Sequence, residues 1–109
     1  MKLTAVLLAL FLLVQLSVAV AHPGADSRIA RLDQLIQDNP TRQELFILRG
    51  GLHSLVGDWQ LAERDFELAQ SLGDFTEADF EWGLFHYRRA DYPEARQAFS
   101  RYLRKYPHH

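Results

Sequence analysis

The sequence repeats itself at a spacing of 33 residues, and this repeat limits the possible folds more than any other feature of the chain. Six residues recur identically and a seventh position exchanges one aromatic residue for another, all in one register without a gap. The matches are Glu44 with Glu77, Gly50 with Gly83, His53 with His86, Asp58 with Asp91, Trp59 with Tyr92, Ala62 with Ala95 and Phe66 with Phe99. A fixed period of this length is typical of folds in which one supersecondary unit stacks on the next.

The repeated unit has the apolar spacing of α-helices. Apolar residues recur at steps of three and four, at Leu45, Leu48, Leu52 and Leu55 and again at Ala62, Phe66, Ala69 and Leu72. The pair Gly50-Gly51 is also compatible with a tight β-hairpin turn. The second copy has a single glycine, Gly83, which cannot form a Gly-Gly turn, so the repeat favours helices. We therefore expect Gly50 to lie where two helices approach closely.

These patterns predict an all-α fold. The expected helices cover residues 27–38, 42–55, 59–72, 75–89 and 92–105, joined by short turns. Several helix starts carry capping signals. The spacing of a capping box occurs at Thr41 with Glu44, at Asp74 with Glu77 and at Asp91 with Glu94, and Asp58 is a further candidate N-cap.

The first 21 residues have the pattern of a secretory signal peptide. Met1-Lys2 is followed by an apolar stretch, and Ala19-Val20-Ala21 matches the cleavage pattern. We expect cleavage after Ala21, a flexible leader over 22–26 and a helical domain over 27–106. An uncleaved membrane anchor is the alternative. The chain has no cysteine, which excludes a lipoprotein anchor and disulfides and favours a bacterial periplasm as its location.

Charge is divided unevenly along the chain. Residues 22–81 contain five arginines and twelve acidic residues, a net charge of −7. Residues 82–109 contain six basic and two acidic residues, a net charge of +4. Two differently charged ends favour contact between molecules. Because the chain is expected to be exported and is acidic in total, we do not expect it to bind nucleic acid.

The residues in this register resemble the tetratricopeptide repeat. The first copy supplies Phe46, Gly50, His53, Gly57-Asp58-Trp59, Ala62, Phe66 and Ala69. The second supplies Trp82-Gly83, His86, Asp91-Tyr92, Ala95, Phe99, Tyr102 and Pro107, and Leu32, Leu35 and Pro40 indicate a half-unit before both. The sequence departs from the family pattern at Asp79, which replaces an aromatic residue, and at Ala90, which replaces the turn glycine.

The resemblance implies an α-solenoid of antiparallel helix pairs, with about two and a half units. It also implies a repeat core made of Phe46, Gly50, Ala62, Phe66, Ala69, Trp82, Gly83, Ala95 and Phe99. Members of the family bind peptides or helices of partner proteins, so the implied function is a protein-interaction module rather than an enzyme.

In the family, the first helix of each pair lines a concave groove that receives the partner. Carried over by register, the groove residues are Glu44, Ile47, Gly51, Ser54 and Leu55 in the first unit and Glu77, Phe80, Leu84, Tyr87 and Arg88 in the second. Phe80, Leu84 and Tyr87 lie on one helical stripe. The alternative is that these apolar residues belong to the ordinary core.

Two further functions stay open at this point. The last helix, with Phe99, Tyr102, Leu103 and Tyr106, can pair with a second copy or with a larger envelope complex. After cleavage, the amine and imidazole of His22 can chelate a copper ion. His53 and His86 are expected to pack between helices. No residue set supports catalysis and no cofactor is expected, since the chain lacks both a phosphate-binding glycine loop and the context of a nucleophile.

Overall fold

Five α-helices form the fold, as the spacing of the apolar residues predicts. The computed structural model describes residues 24–108, and no β-strand occurs in that range. The helices are α1 (Ala25–Asp38), α2 (Gln43–Leu55), α3 (Trp59–Ser71), α4 (Asp79–Arg88) and α5 (Tyr92–Lys105), with a short 3-10 helix (Thr76–Ala78) before α4. The all-α class is confirmed. The predicted signal peptide, residues 1–21, and His22 lie outside the described residues.

Two helix boundaries differ from the prediction. Helix α1 begins at Ala25, so the predicted leader over 22–26 extends too far, and the carbonyl of Gly24 accepts a hydrogen bond of 2.9 Å from the Ser27 hydroxyl. Helix α4 is shorter than the predicted 75–89. The Asp74 carboxylate accepts hydrogen bonds from the backbone N–H of Thr76 at 2.9 Å and from its hydroxyl at 2.6 Å. This tight turn starts the 3-10 helix, and the α-helix begins only after it.

The side-chain caps predicted at Thr41, Asp58 and Asp91 do not form. Asp58 and Asp91 do occupy the N-cap positions of α3 and α5, but neither makes a side-chain hydrogen bond to its helix. Their carboxylates lie instead beside histidines, with Oδ2 to Nδ1 distances of 4.0 Å from Asp58 to His53 and 3.4 Å from Asp91 to His86. The N-cap of α2 is Arg42 rather than Thr41.

Most helices that are neighbours in the chain pack on each other, and one further contact joins the two helix pairs. Helix α1 lies on α2, α2 on α3, and α4 on α5, while α2 also contacts α4. The core is formed by Ala62, Phe66 and Phe85, and Trp59, Phe75 and Trp82 pack against it. Of the nine residues implied for the repeat core, seven are buried, and Trp82 and Phe99 are half-buried.

The two helix pairs α2–α3 and α4–α5 share local details at equivalent positions. Gly57 and Ala90, 33 residues apart, both have left-handed backbone angles, with φ of 84° and 64°. The backbone N–H of Asp58 donates to the His53 carbonyl at 2.9 Å, and that of Asp91 donates to the His86 carbonyl at 2.8 Å. The same turn therefore follows the first helix of each pair.

A buried ion pair joins the first three helices. Arg49 of α2 donates two hydrogen bonds to the Asp65 carboxylate of α3, at 2.8 and 2.7 Å, and a third to Asp33 of α1 at 2.8 Å. The Asp65 side chain is only 3 % exposed. Hydrogen bonding to Asp65 raises the pKa of Arg49 further above its ordinary value, so the guanidinium stays charged. This pairing compensates the cost of burying both charges.

The departure at Asp79 has a similar explanation. Its buried carboxylate accepts hydrogen bonds from Nε and Nη2 of Arg101 in α5, at 3.2 and 3.0 Å. The position that carries an aromatic residue in the resembled family is used here for an ion pair between α4 and α5.

Candidate partner-binding surfaces

A shallow groove runs between α2 and α4, the first helices of the two pairs. Its volume is about 240 Å³. It is lined by Ile47, Leu48, Gly51, Leu52, Leu55, Glu81 and Arg88. Four of these residues, namely Ile47, Gly51, Leu55 and Arg88, belong to the groove implied by the repeat register. We call this hollow the α2/α4 groove.

Arg88 is held at the edge of the α2/α4 groove by a hydrogen bond between the helices. Its Nη1 donates to the Ser54 hydroxyl of α2 at 3.0 Å, and Ser54 is buried. Within the described range no carboxylate lies within 4.0 Å of the Arg88 guanidinium. The groove therefore has a cationic edge whose charge is available to a ligand.

Gly51 forms part of the groove floor, but the Glu81 carboxylate lies close to the space that a side chain at this position would fill. A Cβ atom at this position would lie 3.2 Å from the Glu81 carboxylate. Glu81 was not among the predicted groove residues. It is equivalent to Leu48 in the 33-residue register, and both residues line the groove. The 33-residue register would have identified Leu48 and Glu81 if the groove had been assigned to the residues one position further along each helix.

A second hollow adjoins the first, between α1 and α2. Its volume is about 300 Å³, and its lining consists of Arg28, Arg31, Leu32, Leu35, Leu48 and Leu52. Leu48 and Leu52 line both hollows. A continuous apolar surface therefore spans α1 and α2, with Glu81 and Arg88 of α4 at its border, and Leu48 at its centre is 56 % exposed. Exposed apolar patches of this kind mark contact surfaces for partners.

Five predicted groove residues lie away from the α2/α4 groove. Glu44 is exposed near the start of α2, and the Glu77 carboxylate accepts a hydrogen bond of 3.1 Å from the Tyr106 hydroxyl. Tyr87 packs edge-on against Tyr92 with a centroid distance of 5.6 Å, and Leu84 is half-buried. Phe80 faces α5, as described next.

A larger hollow lies on the far side of the second helix pair. It has a volume of about 550 Å³ and is lined by Phe80, Phe99, Tyr102 and Leu103. The ring of Phe80 lies 5.8 Å from that of Phe99 and 5.6 Å from that of Tyr102. Phe80 and Leu103 are each nearly half exposed. We call this hollow the α5 hollow, and it brings Phe80 together with α5 rather than with the other groove residues.

The histidines form no metal centre in the described part of the chain. No group of three or more potential ligands from His, Cys, Asp and Glu is found among those residues. His53 is buried, with Nε2 3.8 Å from the Asp65 carboxylate. Its Nδ1 has no hydrogen-bond partner within residues 24–108. His86 packs edge-on against Trp82 at 4.5 Å, so both histidines have packing roles.

No helix in residues 24–108 is both long and apolar enough to cross a membrane. Comparison of the chain with protein-family models, with curated proteins and with solved structures gives no match.

Proposed function

We propose that the chain is a helical-repeat protein of the tetratricopeptide type that binds a peptide or helix of a partner protein. The observation that carries this proposal is the α2/α4 groove, in which Ile47, Gly51, Leu55 and Arg88 meet. The repeated turns at Gly57 and Ala90 support a solenoid of two and a half units. Apolar side chains in a shallow groove with a cationic edge suit recognition of an amphipathic segment.

The groove residues have defined roles in this proposal. Leu48 and Leu55, which are 56 % and 44 % exposed, supply the apolar contact area. Arg88, held by Ser54, orients an acidic group of the partner. Burial of exposed leucines against a partner contributes about 25 cal/mol for each Å² of apolar surface removed from water.

Site-specific photo-crosslinking in the native host tests this function. A photoreactive phenylalanine analogue at position 48 or 55 is expected to capture a partner. The same analogue at position 68 serves as the control, because Leu68 is 40 % exposed on α3 and lines none of the hollows described above. Identical crosslinked products from positions 48 and 68 would contradict groove binding.

We further propose that the protein acts outside the cytoplasm, in a bacterial periplasm. The charged start, the apolar stretch and the Ala19-Val20-Ala21 pattern support this location. The intact mass of the protein isolated from a periplasmic extract tests it. A chain that starts at His22 is expected, and recovery of the uncleaved chain from the membrane fraction would favour an anchor instead.

The α5 hollow favours a second candidate function, as a subunit of a larger complex. Phe80 and Leu103 expose apolar surface next to a basic helix face. Sedimentation of the chain from residue 22 onward tests whether self-association alone explains this surface. A monomer at micromolar concentration is expected if a different protein is the partner.

A further inference from the structure

Helix α3, the second helix of the first pair, shows how such a helix is covered by the segment that follows it in the chain. Phe66 on α3 is 0 % exposed because three rings from the following segment pack on it. The centroid distances from Phe66 are 6.2 Å to Phe75, 5.5 Å to Trp82 and 5.6 Å to Phe85. All three contacts are edge-on, the geometry that aromatic pairs prefer.

The equivalent face of α5 has no such cover. The 33-residue register places Phe99 on α5 where Phe66 stands on α3, and Phe99 is only half-buried. Between residues 24 and 108 no later helix packs on it. The α5 hollow of about 550 Å³ therefore lies next to Phe99. At the equivalent place on α3, the rings of the following segment pack on Phe66.

The covering segment of the first pair is acidic as well as aromatic. Residues 74–81, which include Phe75, carry four acidic residues and no basic ones. Helix α5 is basic. It carries Arg96, Arg101, Arg104 and Lys105, and a second hollow of about 410 Å³ on this helix is lined partly by Arg96, Arg101 and Arg104.

Two of these cations have no carboxylate partner within the structure. Arg101 pairs with Asp79 and Lys105 lies 3.6 Å from Asp74. For Arg96 and Arg104, no carboxylate of the described residues lies within 4.0 Å. Arg96 precedes Phe99 by three positions and Leu103 by seven, so its charge lies on the same helical stripe as the α5 hollow and favours an acidic group in the partner.

We propose that the α5 hollow binds an amphipathic helix of a partner protein that carries aromatic side chains on one face and carboxylates beside them. The occupant has the chemistry of this chain's own residues 74–88. A second copy is not the occupant, because its Phe75, Trp82 and Phe85 already pack on its own Phe66. This inference rests on the subunit role proposed above and is independent of the α2/α4 groove.

A synthetic peptide with the sequence of residues 74–88, DFTEADFEWGLFHYR, is a direct probe. Its fluorescein-labelled form is titrated with the chain from residue 22 onward, and anisotropy gives Kd. We expect saturable binding below about 200 µM, as for weak helix docking. Replacing the peptide residues equivalent to Phe75, Trp82 and Phe85 by alanine is expected to weaken binding at least about tenfold. Replacing its Glu77, Asp79 and Glu81 by lysine is expected to have a similar effect.

A pair of protein variants locates the binding site. Leu103→Glu places a charge at the α5 hollow, and Leu61→Glu is the control, since these leucines are 46 % and 43 % exposed. We expect Leu103→Glu to weaken peptide binding at least about tenfold and Leu61→Glu to leave Kd unchanged. Equal Kd values for the two variants would overturn the proposal. The peptide would then not bind at the α5 hollow but would take the place of the chain's own α4.

Two other results would also overturn it. The first is the absence of saturable binding at about 200 µM. The second is a dimer of the chain that Leu103→Glu abolishes, since a second copy would then be the occupant. Photo-crosslinking at positions 48 and 55 tests the α2/α4 groove separately, so failure of one surface does not imply failure of the other.

Discussion

Gly83 and Phe99 are in such close contact that the ring of Phe99 occupies the space of a side chain at position 83. A Cβ atom there would lie 2.5, 2.7 and 3.0 Å from three atoms of the ring. Gly50 approaches Phe66 in the equivalent way, with a nearest distance of 3.1 Å. The repeat thus preserves a glycine-to-ring contact that joins the two helices of each pair, as the register predicts for Gly50.

Substitution of Gly83 by alanine is expected to destabilise the fold. The clash with Phe99 costs about 1–3 kcal/mol and outweighs the gain of about 1 kcal/mol from replacing a helical glycine. Gly51→Ala is the matched control, because a Cβ at that position meets only the flexible Glu81 carboxylate, at 3.2 Å. Urea unfolding followed by circular dichroism measures both variants. An equal free energy of unfolding for the two variants would contradict this packing role.

Removal of the Asp65 carboxylate is expected to leave the partly buried Arg49 with the exposed Asp33 as its remaining charge partner. Asp65→Ala should lower the free energy of unfolding by about 3 kcal/mol. The double variant Arg49→Met with Asp65→Leu should recover most of that loss, since no buried charge remains. As a control, Arg42→Ala breaks only the exposed contact of 3.8 Å to Glu44 and should change stability by less than about 0.5 kcal/mol. A double variant as unstable as Asp65→Ala would show that the charge is not the cause.

Ala90 has a left-handed backbone, with φ of 64°, at the position where the first pair has Gly57. A residue with a Cβ atom is strained in this conformation by about 1–2 kcal/mol. Ala90→Gly is therefore expected to stabilise the protein by about 1 kcal/mol, after allowance for the greater freedom of glycine in the unfolded chain. Thermal unfolding by calorimetry measures the gain. Gly57→Ala should have the opposite sign, and a loss of stability in Ala90→Gly would refute the assignment of strain.

The turn before α4 gives a prediction for acid titration. The hydrogen bond from the Thr76 hydroxyl, followed by that from its backbone N–H, lowers the pKa of Asp74 below the ordinary value of 3.8. A lowered pKa in the folded state means that the turn is stabilised above pH 3.8 and loses that contribution as the pH falls through the folded-state pKa. Thr76→Val is expected to raise the pKa of Asp74 towards 3.8 in an NMR titration of the carboxyl carbon. An unchanged pKa would show that the hydroxyl does not determine it.

The α2/α4 groove is expected to close when a large side chain replaces Gly51. Gly51→Leu must displace the Glu81 carboxylate and fill part of the volume of about 240 Å³. Binding of the partner captured at position 48 should weaken at least about tenfold, with the helical circular dichroism spectrum retained. Leu68→Glu on α3 is the control and should bind normally. Undiminished binding by Gly51→Leu would place the partner elsewhere on the protein.

The helices and the close contact at Gly50 could be predicted because both are properties of local spacing. The 33-residue register identifies which residues are equivalent, and this equivalence predicted the close approach at Gly50. The left-handed backbone at Ala90 was not predicted, because Ala90 departs from the turn glycine of the family pattern. The confirmed part of the prediction is the all-α class with five helices. The predicted side-chain caps at Asp58 and Asp91 do not form, and spacing alone does not show that these aspartates stand beside His53 and His86.

Long-range side-chain placement could not be read from the sequence. Phe80 shares a helical stripe with Leu84, yet its ring packs 5.8 Å from that of Phe99 on α5. Glu81 reaches Gly51 across 30 positions of sequence, and a long flexible side chain leaves no periodic signal. The partner of the buried Asp79 is Arg101, which lies on a different helix. Each of these contacts depends on how the helices are placed in space.

The three hydrogen bonds of Arg49 also bear on which helix opens most easily. Two of them hold the guanidinium against Asp65 of α3, and the remaining one reaches Asp33 of α1. Helix α1 is therefore attached to this ion pair by a single hydrogen bond, and the two bonds between α2 and α3 do not depend on it. In native-state hydrogen exchange, the amides of α1 should open at lower free energy than those of α2 and α3. The half-unit is thus expected to open more easily than the helix pair that follows it.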